Sequence, residues 1–272
     1  MSVNFQVVPH SAAVHERFAH AIADEIHSNN LAGKPTRLIL PVGPIAHYPL
    51  LAQLCNKQHI SWRDVRFTIM DEYLDWTGRP IPAEHPLSFV GFMRQFIGTL
   101  DSELQPPVDG WVWPDPFEIN RVAEFIADIG GIDTCYGGIG VHGHVAFNEP
   151  VRNRFWSITD DQFRASPTRV VTLAPETIVM NATRATGGSF DTFPPLAVTI
   201  GMRDILEAVR IRLFCDGGVW QQEAVARAVC GPSHQDYPVS LLRHHRDVTV
   251  CADRVSAAGA IAAGAIPTPE NR

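Results

Sequence analysis

Short apolar segments alternate with amphipathic segments along most of this chain. Segments 37–42, 65–70 and 132–138 are largely apolar and contain β-branched residues, which is typical of strands covered on both faces of a parallel sheet. In segments 13–30 and 46–58 the apolar residues recur at helical spacing. Because alternating strands and helices connect through right-handed crossovers, the pattern predicts an α/β fold: an open, mainly parallel, doubly wound, Rossmann-like sheet with helices on both faces.

The alternation continues over the rest of the sequence. It predicts further strands at 111–114, 169–173, 196–200, 210–215 and 247–251. It predicts further helices at 86–99, 117–129, 175–183, 202–208 and 219–229. All strands are expected in one sheet, and no low-complexity linker divides the 272 residues. We therefore expect a single domain over 1–272, with a short helix and a frayed end after about residue 253.

Charge and hydropathy argue against two classes of partner. The 22 Lys and Arg residues against 29 Asp and Glu give a formal net charge of -7, so we expect no nucleic-acid surface. No apolar stretch approaches the roughly 20 residues of a membrane span, and the first residues lack the basic region of a signal peptide. We expect a cytoplasmic protein that binds no membrane, with its five cysteines reduced and mostly buried.

Ligands of open α/β sheets bind beyond the carboxyl ends of the strands, so residues that follow the apolar segments are candidates for a site. Gly43 follows the first segment and Asp71-Glu72 follows the second. A glycine there either lets a ligand approach the backbone or forms a tight turn. A carboxylate at the edge of an apolar strand loses hydration, which raises its pKa and makes it a better proton acceptor. The alternative for Asp71 is a cap on the following turn.

Segment 137–150, GGIGVHGHVAFNEP, is the densest candidate site and directly follows a predicted strand. Its glycines, which include Gly138 and Gly140, leave its histidines free of neighbouring bulk. A glutamate within reach of an imidazole fixes its tautomer and raises its basicity, as a general base near neutral pH requires. The pattern therefore indicates acid/base chemistry. Its polar side chains are His142, His144, Asn148 and Glu149.

Five segments in sequence order resemble the glucosamine-6-phosphate deaminase/isomerase family, whose relatives include 6-phosphogluconolactonases. They are TIMDEYLDW, HPLSFVGFM, GGIGVHGHVAFNEP, TRVVTLAPETIVMNATR and LAVTIGMRDILEA. The resemblance runs from about residue 36 to residue 253. It implies that an amino-sugar substrate is ring-opened, isomerised from aldose to ketose and deaminated with release of ammonia, without metal or organic cofactor. It is also compatible with a homo-oligomer, because family members range from monomers to hexamers.

The resemblance also implies roles for individual residues. Asp71 would move the proton at carbon 2, His144 would be the acid/base that opens the ring, and Glu149 would orient that histidine. Residues expected to bind the substrate are Gly43, Glu72, Gly138, Gly140, His142, Asn148, Arg184 and Trp220.

Two departures from the family pattern concern these roles. His142 stands where the family usually has an aspartate, which is expected to lower the pKa of His144 or to change its partner. Gly43-Pro44-Ile45-Ala46 offers no hydroxyl for a phosphate, and the family's phosphate lysine falls near Trp220. Arg184, near the family's phosphate arginine, is retained. We expect altered phosphate recognition, with Ile45 and Trp220 presenting an apolar or stacking surface to a neutral sugar.

Two other functions remain open from the residues alone. The chain could be a sugar-binding or regulatory homologue without turnover, which would bind ligand and release no ammonia. It could also be a lactone or metal-dependent hydrolase in which His142 and His144 bind an ion together with Asp71 or His85; metal analysis would distinguish this function.

Three arginines lie in a stretch longer than the family usually has after Pro150. Arg152, Arg154 and Arg164 either supply an anion site over the pocket or belong to a solvated lid.

Overall fold

Strands and helices alternate in the computed structural model, which describes residues 3–151 and 157–268. Its strands are β1 Asn4–Val8, β2 Thr36–Leu40, β3 Val65–Ile69, β4 Asp71–Leu74, β5 Trp111–Val112, β6 Thr134–Gly137, β7 Arg169–Thr172, β8 Leu196–Thr199, β9 Arg210–Cys215 and β10 Val248–Asp253. Its α-helices are α1 Ser11–Leu31, α2 Tyr48–Gln58, α3 Phe89–Gly98, α4 Arg121–Asp128, α5 Asp160–Arg164, α6 Pro175–Ala185, α7 Met202–Glu207, α8 Gln222–Val229 and α9 Arg254–Ala262.

The main sheet has seven strands in the spatial order β1-β10-β9-β6-β2-β3-β5. Every neighbouring pair in it is parallel. Buried side chains of α1, α2 and α3 pack on one face, and those of α4, α7, α8 and α9 pack on the other. The predicted fold class, an open and mainly parallel sheet with helices on both faces, is confirmed.

The prediction that all strands share one sheet is wrong. β4, β8 and β7 form a separate three-stranded sheet in which both pairs are antiparallel. β7 alternates between half-buried and exposed residues, as a strand does when only one face of its sheet is covered. Under this small sheet lies a third apolar cluster that includes Tyr73, Phe147 and Phe193.

The chain passes from one sheet to the other at Met70. β3 ends at Ile69 and β4 begins at Asp71, while the carbonyl of Met70 accepts a hydrogen bond from the N–H of Ile200 at 2.8 Å. The junction therefore places Asp71 at the carboxyl end of β3, which lies next to the edge strand β5, and at the start of the small sheet.

Several elements lie outside the predicted set. Strand β1 at the edge of the main sheet and the one-turn helix α5 were not expected, because segments this short carry little periodicity. The short helix predicted after residue 253 is α9. Arg164 ends α5, whereas Arg152 and Arg154 lie outside the described residues. No helix in the described part of the chain has the length and apolar character needed to cross a bilayer.

Candidate active site

A cavity of about 730 Å³ opens at the carboxyl ends of β2, β3, β6 and β9, where open α/β sheets bind their ligands. α6 contributes to its rim. The sequence-predicted site residues that line it are Gly43, Asp71, Gly138, Gly140, His144, Arg184 and Trp220. The predicted site residues that do not line it are Glu72, His142, Asn148 and Glu149.

Asp71 reaches the cavity from the junction between the two sheets. Its side chain is almost fully buried, and burial, followed by the charge of Glu72, raises its pKa well above the usual value. The backbone N–H of Phe147 opposes part of that rise. A carboxylate with so little hydration is a strong proton acceptor once it is ionised, so the position suits a base.

Glu72 has a different task from its neighbour. Its Oε1 accepts hydrogen bonds from the N–H groups of Tyr73 at 2.8 Å and Phe89 at 3.0 Å. Its Oε2 accepts from the N–H of Val90 and the hydroxyl of Ser88, both at 2.8 Å. These contacts cap the start of α3. Successive strand residues face opposite sides, which is why Asp71 lines the cavity and Glu72 does not.

His144 is held by a tightly folded loop. The N–H of Gly140 donates to the carbonyl of His144 at 2.8 Å, and the N–H of Gly143 donates to the carbonyl of Gly140 at 2.9 Å. A Cβ at position 140 would lie 1.8 Å from Nε2 of His144, so only glycine leaves room for the imidazole. Burial, and then the charge of His142, lowers the pKa of His144 to about 3. The imidazole is therefore neutral near pH 7.

Glu149 lies behind His144, away from the cavity. Its Oε1 is 4.0 Å from Nδ1 of His144, which is too long for a hydrogen bond, and its Oε2 accepts from the N–H of Ala174 at 2.7 Å. His142 also lies beneath the cavity wall, with Nε2 3.6 Å from Oε2 of Glu176. The expected lowering of the pKa of His144 by His142 is present, although burial contributes more.

Asn148 positions the loop. Its Nδ2 donates to the carbonyls of Val145 and Ile200, each at 3.0 Å, and its Oδ1 accepts from Nη1 of Arg169 at 2.8 Å. The side chain is fully buried, and these bonds tie the loop to the end of β8.

One group among the described residues has the composition and spacing of a metal site. His142, His144 and Glu149 each offer a ligand atom, and these atoms lie within 4.8 Å of one another. Neither Asp71 nor His85, the expected third ligands, belongs to the group. His85 lines the cavity, and its Nδ1 accepts from the N–H of Leu87 at 3.1 Å in the turn before α3.

The loops after β2 and β9 form a second wall, which we call the loop wall: Gly43–Ile45, Asp216 and Trp220, with Arg184 from α6. The guanidinium of Arg184 lies 5.5 Å from the ring centroid of Trp220, within the range of a cation–π contact. Trp220 packs over Gly217, where a Cβ would lie 2.4 Å from the indole. We call the opposite wall, formed by Asp71 and His144 with Tyr73 and Phe147, the acid/base wall.

Sequence reasoning missed several polar residues at or near the cavity, among them Tyr73, Asn181 and Glu176. Tyr73 and Asn181 line it, and Nδ2 of Asn181 donates to the hydroxyl of Tyr73 at 3.1 Å. Tyr73 could have been predicted from the sequence, because it stands two residues after Asp71 and so shares its face of the strand. Glu176 carried no such signal, since only the fold brings the start of α6 beside His142.

Several known proteins are similar to this chain. It is 32% identical over 254 residues to a glucosamine-6-phosphate deaminase of Bacteroides thetaiotaomicron, covering 91% of this chain and 88% of that protein. It is 33% identical over 248 residues to a glucosamine-6-phosphate deaminase of Caenorhabditis elegans, covering 88% and 85%. No family model matches the chain.

Solved structures give the same relationship at lower identity. A monomeric glucosamine-6-phosphate deaminase matches with a TM-score of 0.79 and 26% identity, covering 94% of this chain and 100% of that one. A 6-phosphogluconolactonase from Shewanella baltica matches with a TM-score of 0.65 and 17% identity, covering 93% and 97%; at that identity the match shows the fold alone.

Proposed function

We propose a function from the premise that this chain belongs to the glucosamine-6-phosphate deaminase family: it opens the ring of an amino sugar, isomerises the aldose to a ketose and releases ammonia. The observation that carries the proposal is the placement of Asp71 and His144, the two residues given these roles by the resemblance, on the lining of one cavity. Each is buried among neighbours that exclude bulk water.

His144 opens the ring. Its Nε2 lies against Gly140, whose backbone lines the cavity. There the imidazole accepts the proton of the anomeric hydroxyl and delivers a proton to the ring oxygen. The bond between carbon 1 and the ring oxygen breaks, a carbonyl forms at carbon 1, and the imidazole ends in the state in which it began.

Asp71 carries the isomerisation. It accepts the proton from carbon 2, the electron pair forms a double bond between carbons 1 and 2, and the carbonyl oxygen takes up a proton from water. Return of the proton from Asp71 to carbon 1 leaves an iminium at carbon 2, and addition of the hydroxide left by that water gives a ketone and ammonia. The packing of Tyr73 on Phe147, with ring centroids 5.4 Å apart, limits access of water to the carboxylate.

The loop wall supports a substrate in which phosphate is not the main handle. Arg184 is the one Arg or Lys side chain among the described residues lining the cavity, and Asp216 adds a carboxylate to the same wall. Pro44 has no N–H to donate, and Ile45 and Trp220 have no hydroxyl. A phosphate dianion is held by several charge-assisted donors, so we infer that unphosphorylated amino sugars are accepted.

The test is ammonia release from a panel of amino sugars, each with and without a 6-phosphate, with aldonolactones as a second class. We expect ammonia from at least one unphosphorylated amino sugar, and release that is about 10²–10⁴-fold slower from Asp71→Asn. Thermal stabilisation by a sugar without ammonia release would identify a binding protein instead. Hydrolysis of a lactone without deamination would contradict the proposed reaction.

A further inference from the structure

We propose that His142, His144 and Glu149 bind a zinc-class divalent cation directly behind the acid/base wall. One ligand atom of each residue lies within 4.8 Å of the others. The three residues come from one short loop, so the site needs no other part of the chain to move before it can form.

The spacing suits a cation better than a direct contact. Nδ1 of His144 and Oε1 of Glu149 are 4.0 Å apart, beyond hydrogen-bond distance. Zinc bonds measure about 2.0–2.2 Å to nitrogen and oxygen, so an ion between these two atoms touches both after small side-chain rotations. His142 lies on the same side, with its ring centroid 5.8 Å from that of His144.

Two outer contacts resemble the support found around protein-bound metals. Oε2 of Glu149 is fixed by the N–H of Ala174 at 2.7 Å, which leaves Oε1 on the side of His144. Nε2 of His142 lies 3.6 Å from the carboxylate of Glu176, and a ligating histidine commonly has its other nitrogen directed at a carboxylate. When ionised, the carboxylates of Glu149 and Glu176 would balance the charge of a divalent ion.

The ligands are already confined in the folded protein. His142 and His144 are each 8% exposed, and the N–H of Val239 donates to the carbonyl of Gly143 at 2.7 Å, anchoring the loop between them. A site whose ligands are held by packing loses little freedom when an ion binds. Two imidazoles and one carboxylate favour zinc over calcium or magnesium, which prefer oxygen ligands.

Such an ion would stop ring opening, and this part of the inference rests on the proposed function. Zinc on Nδ1 of His144 leaves the proton on Nε2, so the nitrogen against Gly140 has no lone pair to accept the anomeric proton. The cation also holds the Glu149 carboxylate. The site is therefore an inhibitory one, which switches the acid/base residue off without entering the cavity.

The binding test uses the full chain after removal of metals with EDTA. We expect isothermal titration with ZnCl₂ to show one ion per chain with a dissociation constant of micromolar or below, and anomalous diffraction at the zinc edge to place it between His142, His144 and Glu149. His142→Gln should weaken binding by about 100-fold, whereas the control His85→Gln, at a histidine that lines the cavity but lies outside the group, should not.

Millimolar or weaker binding, an anomalous peak elsewhere, or unchanged affinity in His142→Gln would overturn the site. Because the diffraction measurement uses the unmodified chain, it decides the matter even where the variant does not fold. Inhibition of ammonia release separates the two proposals. Zinc bound at this position without inhibition contradicts the inhibitory role and the part given to His144, while an active enzyme that binds no zinc contradicts the metal site alone.

Discussion

The acid/base wall and the loop wall face the same cavity but differ in chemistry. The acid/base wall carries a buried carboxylate and a neutral imidazole, Asp71 and His144, set in aromatic surroundings. The loop wall carries one exposed guanidinium, Arg184, an indole and a carboxylate. In the proposed function the first wall supplies the reacting groups, and the second wall contacts the substrate. Because the two sets of groups lie on different walls, mutation can alter the reaction and the recognition of the substrate separately.

The largest expected effect is loss of turnover in Asp71→Asn. An amide is nearly the same size as the carboxylate but cannot accept the proton from carbon 2, and general base catalysis contributes about 10²–10⁴-fold to rate. Steady-state ammonia release should fall by that factor with a small change in KM. Retention of most of the wild-type rate would remove Asp71 from the role of base.

The stability of the same variant is its control. Burial raises the pKa of Asp71 in the folded state, so its ionisation opposes folding. The stability it contributes is complete below its unfolded pKa, near 3.9, and is lost as the pH rises through the folded value. The substituted amide cannot ionise, so Asp71→Asn should melt above the wild type near pH 7 and equal to it near pH 3, by calorimetry. A lower melting temperature at pH 7 would indicate damage to the fold.

A smaller loss is expected for His144→Gln. Glutamine keeps a polar side chain beside Gly140 but cannot exchange a proton, so ring opening should slow by roughly 10²-fold. An open-chain analogue that cannot cyclise bypasses this step and should lose much less. Comparison of kcat for the two substrates checks the assignment, and equal losses on both would place His144 in another step.

The sequence predicts the main sheet well because its strands are buried on both faces and read as continuous apolar runs. It does not predict the small sheet, because Arg169–Thr172 and Leu196–Thr199 look like any short strands. Leu196–Thr199 pairs antiparallel with both Arg169–Thr172 and Asp71–Leu74, and the second pairing depends on the passage of the chain from one sheet to the other at Met70. This passage between the sheets is a tertiary feature, since the hydrogen bonds that fix it come from residues far apart in the chain.

The site also has residues that the sequence predicts and residues that only the fold brings together. Asp71 and His144 could be predicted from the sequence because each closely follows an apolar strand, and the cavity opens at the ends of these strands. Glu72 was expected to bind the substrate, whereas it accepts hydrogen bonds from the N–H groups at the start of α3. The grouping of Glu149 with His142 and His144 also needs the fold, because sequence spacing does not show which way the three side chains turn.

Changing the loop wall toward the family pattern should change affinity rather than rate. Ile45→Thr with Trp220→Lys adds a hydroxyl and a cation, and each charge-assisted hydrogen bond contributes roughly 1.5–3 kcal/mol. Titration with glucosamine 6-phosphate should show about a 10- to 100-fold gain over the unmodified chain. Val219→Lys, at an exposed residue outside the cavity lining, controls for simple attraction by added charge.

The outcome that would contradict this view of the loop wall is strong binding without the change. Such binding would be a micromolar affinity of the unmodified chain for glucosamine 6-phosphate that is lost in Arg184→Ala. It would show that the guanidinium is the one charged group needed to hold the phosphate, together with the backbone N–H groups around it. Affinity would then fall steeply with salt, because the contact would be a charged one near the surface.

The smallest effect expected is that of Glu72→Gln, and it concerns stability. Asp71 and Glu72 are adjacent carboxylates, but all four hydrogen bonds accepted by Glu72 come from groups of the protein itself. The amide can accept on one side only, so its NH₂ group faces donors and the cap of α3 weakens. We expect a loss of about 1–2 kcal/mol in the free energy of unfolding, measured by urea denaturation. The exposed Glu84→Gln should leave the midpoint unchanged. A rise in KM for Glu72→Gln without loss of stability would return this residue to the substrate site and make the acid/base wall a two-carboxylate surface.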